Sequence, residues 1–247
     1  MPFHNTRKNK MKRVLIKIPH HSRGIFKTRK NRFLGEVEIN ETGSVDDVHI
    51  RDPGRLEEIL YPGNKVLLEK AQNEDRKTNW TLLAGRVKDQ WVFVNSGYHR
   101  AIAEKILNDL EISPFKELKN YEAEKRLGDS RIDFLLKKEE EKIWLEVKGC
   151  TLAQDGRALF PDAPTKRGKR HVEELIKVVN EKKTSGALLF LVFRSDPSCF
   201  KAHEDQDPDF ARVLEEGIEA GLDVHPVKLN YDGSVIEYRG EIPVCEG

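Results

Sequence analysis

Seven consecutive apolar residues run from Ala187 to Phe193, the longest such stretch in the chain. A continuous apolar run of that length marks a strand covered on both faces rather than one. It is far too short to cross a bilayer, which takes about 20 residues. Covering a strand on both sides takes helices or a second layer, so this run demands a domain in which helix and sheet are stacked. The basic N-terminus has no apolar segment behind it of signal-peptide length. The expectation is a cytoplasmic protein with no membrane partner.

Elements of the right periodicity surround the run. Ala101, Ile102, Lys105, Ile106 and Leu110 have helical spacing, and so do Val172, Leu175, Ile176 and Val179. Ile132–Leu136 and Ile143–Lys148 read as strands. A third helix opens with Asp207 as N-cap and Pro208 behind it, and stops at Gly221. Helix, strands, helix, strand, helix is an α/β (or α+β) domain, and it begins near residue 96. Ahead of it, Val14–Ile18, Phe33–Ile39, Val45–Arg51, Lys65–Lys70, Trp80–Val87 and Gln90–Val94 read as strands, with one short helix at Arg55–Leu60. That series suits a small Greek-key barrel of the OB type, the alternative being another small barrel or sandwich.

The net charge of +1, from 43 Lys+Arg against 42 Asp+Glu, conceals an asymmetry. Residues 1–35 carry eleven Lys and Arg and no Asp or Glu, which leaves 32 basic and 42 acidic residues in the remainder. A basic end of this kind points to a polyanionic partner. The three cysteines, Cys150, Cys199 and Cys245, form no CxxC pair, and so sparse and odd a count predicts free thiols in a reducing compartment. High charge with two Met, three Cys and few Gln resembles thermophile composition.

The segment richest in chemistry is Ser130-Arg131-Ile132-Asp133-Phe134-Leu135-Leu136, a charged turn, and Ile143-Trp144-Leu145-Glu146-Val147-Lys148. If the turn centres between Glu139 and Glu140, Leu136 faces Ile143 and Asp133 faces Glu146. Side chains alternate along a strand, so Asp133, Glu146 and Lys148 would share one face of an otherwise apolar hairpin. Directly opposed Cβ atoms lie about 4.5–5.5 Å apart, and two carboxylates that close repel unless a cation sits between them. A hard divalent ion, Mg²⁺ or Mn²⁺, suits such a pair, keeping waters that a phosphate can displace. Lys148 would hold the attacking water or balance charge. The alternative is a surface hairpin with ordinary ion pairs.

Downstream, Thr165 is placed to cap a helix whose first two turns hold Lys166, Arg167, Lys169, Arg170 and His171. Cations there oppose the helix dipole, and an approaching phosphate would relieve the conflict. These five are candidate DNA contacts, as are Arg29, Lys30, Arg32, Arg51 and Arg55 on the barrel side. The alternative for each is a solvated surface residue, and for His171 a proton carrier or a supporting group that caps a network. Cys150 reads as a small buried hydrophobe, His20, His21 and His203 as surface residues, and the three Trp as core or barrel-face residues.

Several of these motifs occur together in one family. Ser-Arg-Ile-Asp-Phe-Leu-Leu at 130–136, Leu-Glu-Val-Lys at 145–148, Phe-Pro-Asp-Ala at 160–163 and Thr-x-Arg-Gly-x-x-His at 165–171 resemble the signature of the sugar fermentation stimulation protein A family. Asn31-Arg32-Phe33-Leu34, Pro53-Gly54-Arg55-Leu56 and Asn95 extend the likeness through the first half. The chain departs from it at Asp52-Pro53, where many members have Asn-Thr. The resemblance implies an N-terminal OB-like barrel over 1–96 with a basic extension, and a PD-(D/E)xK nuclease-like domain over 97–247. It also implies Asp133 and Glu146 as metal ligands, Lys148 as the catalytic lysine, and Glu104, or alternatively Glu122, as a further acidic ligand. The functional expectation is a DNA-binding, metal-dependent endo- or exonuclease. The alternative is a non-catalytic, sequence-nonspecific DNA-binding protein with a regulatory role in sugar (maltose) metabolism. DNA, single- or double-stranded, is the expected partner; RNA and a second copy of the chain remain open.

Overall fold

The computed structural model describes residues 13–246 apart from 74, 180, 182 and 183. The basic residues expected at positions 7–12 lie outside that set. The first half forms a closed barrel of five strands: β2 (Ser22–Asn31), β3 (Leu34–Ile39), β4 (Val45–His49), β5 (Lys65–Lys70) and β6 (Trp80–Val87). Their order is β4-β3-β2-β5-β6, and parallel pairing of Val48 with Trp80 and His49 with Thr81 closes the ring. Alternation explains the inside: Val37 and Ile39 of β3 are buried, while Glu36 and Glu38 are only half-buried.

Two local expectations fail. Arg55–Leu60 is a turn, not a helix; the Ile59 and Leu60 N–H groups both donate to the Leu56 carbonyl, at 2.9 and 2.7 Å. The first strand, β1 (Arg13–Lys17), does not join the barrel but pairs antiparallel with β16 (Val235–Glu241), the last strand of the chain.

The second half begins with α1 (His99–Leu107), β8 (Asn120–Leu127), β9 (Ser130–Lys137) and β10 (Lys142–Cys150). A small sheet, β11 (Leu152–Gln154), β12 (Arg157–Phe160) and β14 (Cys199–Ala202), stands beside the main one. Then come α2 (Lys166–Val179), β13 (Thr184–Val192), α3 (Pro208–Glu219) and β15 (Asp223–Tyr231). The main sheet runs β8-β9-β10-β13-β15, with β10, β13 and β15 parallel. It continues into the barrel through β7 (Gln90–Phe93), which pairs with β6 on one side and meets β15 at Trp91 and Tyr231 on the other.

The apolar run on β13 divides its side chains between two cores. Ala187, Leu189, Leu191 and Phe193 enter a core shared with α1 and the barrel. Leu188, Phe190 and Val192 enter a second core with Val172 and Leu175 of α2 and Phe210 and Leu214 of α3. Burying each such side chain contributes roughly 1.5–3 kcal/mol. Strand β10 follows the same rule, with Ile143, Leu145 and Val147 on the barrel side and Trp144 and Cys150 on the α2 side. Glu146 and Lys148 are where the α2-facing row turns polar.

Cys199 and Cys245 are joined by a disulfide, Cα atoms 5.1 Å apart, against the expectation of free thiols. The bond ties the C-terminal segment to β14, beside which Val244 forms a bridge with Phe200. Cys150 is free and buried, and burial pushes its thiol well above the ordinary range, which leaves it inert.

Candidate functional site

The hairpin of β9 and β10 has the expected register, with Ile143 opposite Leu136 and Leu145 opposite Phe134. One residue further, Asp133 and Glu146 lie side by side. The Val147 N–H donates to Asp133 Oδ2 at 2.8 Å, and the Asp133 N–H to Glu146 Oε2 at 3.4 Å. Burial, and after it the Glu146 carboxylate, pushes Asp133 up to about 6. Burial also pushes Glu146 upward, but the Lys148 ammonium and His171 outweigh it and hold it below the usual range. Lys148 Nζ donates to Glu146 Oε1 at 2.5 Å, and both groups are largely withdrawn from solvent.

Helix α2 completes this cluster. Thr165 is its cap: its hydroxyl accepts the Gly168 N–H at 3.0 Å, and its own N–H donates to Asp207, the cap of α3. The helix brings in His171, only 1% exposed, whose Nδ1 bonds Glu146 Oε1. Arg167 Nε donates to His171 Nε2 at 3.3 Å. A guanidinium can only donate, so Nε2 is the acceptor and Nδ1 carries the hydrogen toward Glu146. His171, expected either to contact DNA or to play a supporting part, is buried and bonded to the carboxylate.

Asp133, Glu146 and Lys148 line a cleft of about 740 Å³ between the barrel and the second half, with His171 behind them. Of the expected contacts, Arg32, Arg51, Lys166 and Arg167 line it. Others do not reach it. Arg29 donates to the carbonyls of Gly54 and Arg32 at 2.7 Å, and of Arg55 at 2.5 Å, pinning the 52–55 turn rather than facing solvent. Lys30 is held by Glu36 and Asp47, and Lys169 by Asp209. Arg170 is exposed on α2 outside the lining, and Arg55 lines a neighbouring pocket of about 250 Å³.

Glu104, expected as a further acidic ligand, lies elsewhere. It pairs with Arg100 on the outer face of α1 and does not line the cleft. Glu122, on β8, is likewise taken, by Lys125 of the same strand and Lys137 of β9. Among the described residues no three His, Cys, Asp or Glu side chains gather as a metal cage. Two neighbouring carboxylates still fit Mg²⁺, which binds through one or two of them and fills its shell with water and phosphate. Burial first, and the Glu146 carboxylate second, raise Asp133, and such an ion would offset the second of these.

Three cleft residues had no role assigned from sequence. His99, the first residue of α1, stacks on Phe193 with ring centroids 5.4 Å apart and abuts Gly149, where a Cβ would lie 2.3 Å from its ring. Burial, then the Lys148 ammonium, pushes it down to about 4, so it is neutral at pH 7. A lone histidine outside any motif carried no signal. Asp162 accepts the Leu56 N–H at 3.1 Å, docking the 160–163 loop onto the barrel; Gly54 leaves the space, since a Cβ there would lie 2.3 Å from the carboxylate. Burial, together with Asp162, raises Asp52 to about 6. The Phe-Pro-Asp-Ala motif held the signal for Asp162, but its partner lies over a hundred residues away in sequence.

The geometry has counterparts among known proteins. A family described as the Sugar fermentation stimulation protein RE domain matches residues 97–234, and the SfsA N-terminal OB domain matches residues 28–94. A sugar fermentation stimulation protein homolog of Methanococcoides burtonii is 45% identical over 94% of this chain and 95% of its own. One from Thermotoga neapolitana is 43% identical over 94% and 98%. The structure of Pyrococcus furiosus SfsA in complex with Ca²⁺ superposes with a TM-score of 0.86 at 29% identity, covering 94% of this chain and 99% of that one. With both halves matched in order and relatives aligned along nearly the whole length, the chain belongs to the sugar fermentation stimulation protein family.

Proposed function

We propose that the protein binds DNA in this cleft and hydrolyses its phosphodiester bonds with the help of a divalent cation, in the cytoplasm. The observation that carries the reading is the Asp133–Glu146 pair with Lys148 at the floor of a cleft edged by Arg32, Arg51, Lys166 and Arg167. A relative's structure in complex with Ca²⁺, another oxygen-seeking ion, supports it.

Asp133 and Glu146 would hold Mg²⁺ or Mn²⁺, which supplies charge stabilisation at the phosphoryl group and a more acidic water. The chain's own groups do the rest. The four rim cations bind backbone phosphates and set the strand's position. The Val147 N–H and His171 fix the two carboxylates, so they do not have to reorganise. Lys148, hydrogen-bonded to Glu146, places a positive charge where negative charge accumulates.

The test is incubation of single- and double-stranded DNA with purified protein and Mg²⁺ or Mn²⁺. Cleavage should vanish in Asp133→Ala; cleavage that persists unchanged would end the assignment. A second reading, a DNA-binding regulator of sugar metabolism with a dormant site, draws on Glu146 Oε1 being already occupied by Lys148 and His171. Calorimetry with Mn²⁺ separates the two: the dormant site would take up no ion, and Glu146→Ala would change nothing.

A further inference from the structure

We propose that Phe33 is a stacking platform for an unpaired base, and that what enters the cleft is a single-stranded stretch of DNA rather than intact duplex. This rests on the DNA-hydrolysing reading above and names its substrate.

Phe33 is the tip of the turn between β2 and β3, and its side chain is 49% exposed. Single exposed apolar side chains are ordinary on a surface, and what sets this one apart is where it stands. The turn around it is firmly held. The Phe33 N–H donates to Asn31 Oδ1 at 2.9 Å, its carbonyl accepts the Ile50 N–H at 2.9 Å, and the preceding carbonyl, of Arg32, accepts from Arg29 at 2.7 Å. Among the described residues, it alone of the exposed large hydrophobic side chains lines the cleft that holds Asp133, Glu146 and Lys148.

Its neighbours supply the other half of the argument. Arg32 and Arg51 line the cleft on the same side, and Lys166 and Arg167 on the other. Cations that track a backbone beside an aromatic face are the means by which single strands are held without regard to sequence. A phenyl ring has no polar handle, so it meets the face of any base and reads no edge. In a duplex those faces are already stacked on one another; only an unpaired base offers one. Size agrees. A cleft of about 740 Å³ falls in the range of small-molecule sites, about 300–1,000 Å³, which suits a nucleotide or two.

The experiment is fluorescence anisotropy with a labelled oligothymidylate and a blunt-ended duplex of equal length, in EDTA so that nothing is cut. Wild type, Phe33→Ala and Phe33→Tyr are compared, with melting curves to confirm that each is folded. Phe33→Ala should bind the single strand roughly 5- to 150-fold more weakly, while its duplex affinity stays within about twofold of wild type and Phe33→Tyr recovers most of the loss. Equal losses on both probes, or none, would overturn the stacking role while leaving the hydrolytic reading in place. Wild type that binds neither probe and cleaves no DNA in Mg²⁺ would end both.

Discussion

Asp133 and Glu146 each accept a hydrogen bond from the backbone of the other's strand: Val147 N–H to Asp133, and Asp133 N–H to Glu146. The two strands thus stay joined past the last regular pair, Phe134 with Leu145, by carboxylates in place of carbonyls. That holds two negative charges together at a fixed spacing.

The arrangement has a cost that depends on pH. In metal-free protein Asp133 titrates near 6, against an ordinary 3.8, so the folded form holds the proton more tightly than the unfolded chain. Its contribution to stability is complete below about pH 4 and is lost as pH rises through about 6. Asp133→Asn keeps an acceptor for Val147 and removes the charge. In chelator it should be more stable than wild type at pH 8, by at most about 3 kcal/mol, with the gap closing at pH 4. Denaturant titrations at the two pH values check this.

His171→Gln should leave the fold intact and weaken Mn²⁺ binding about 10- to 100-fold, because the group that orients Glu146 is gone. Calorimetry reads the affinity, and unchanged binding would remove His171 from the site.

The basic residues should separate by role. Arg167→Ala and Lys166→Ala should each reduce the salt dependence of single-strand binding by about 0.7 in log–log slope, one phosphate apiece. Arg29→Ala should leave the slope alone and destabilise the protein by about 1.5–3 kcal/mol, since its guanidinium serves backbone carbonyls.

The disulfide spans 46 residues, and a loop of that size implies about 4 kcal/mol of stabilisation in the chain-entropy picture. Cys199→Ser, or wild type in reductant, should melt lower by the corresponding margin.

The hairpin, its register and the basic helix start were legible in the sequence because each is local: a period of two, a charged turn, a cap followed by cations. The β13 run was legible because burial on both faces leaves no polar residue to interrupt it. Strand β2 was not, since Ser22–Asn31 carries two register shifts and a cluster of Lys and Arg that break its alternation. Strand β8, at the edge of the sheet, is partly exposed along most of its length, so no face stands out. His99 against Gly149, Asp162 against Leu56 and Cys199 against Cys245 are meetings of distant segments, and residue spacing carries no mark of them. Glu104 had the acidity expected of a ligand but sits on the outward side of its helix, beside Arg100.

The pairing of β1 with β16 makes the first and last strands of the chain neighbours, and β7 links the barrel to the main sheet. Arg194, 1% exposed, adds a tie by bonding Glu58 of the barrel at 2.8 Å. Chain cut near residue 96 would leave a bare sheet edge on each piece, so the halves should melt as one and refuse to be expressed apart. The same stitching gives the cleft fixed jaws. A strand lying in it would touch both halves at once, so damage to either half would be felt at the same bound nucleotide.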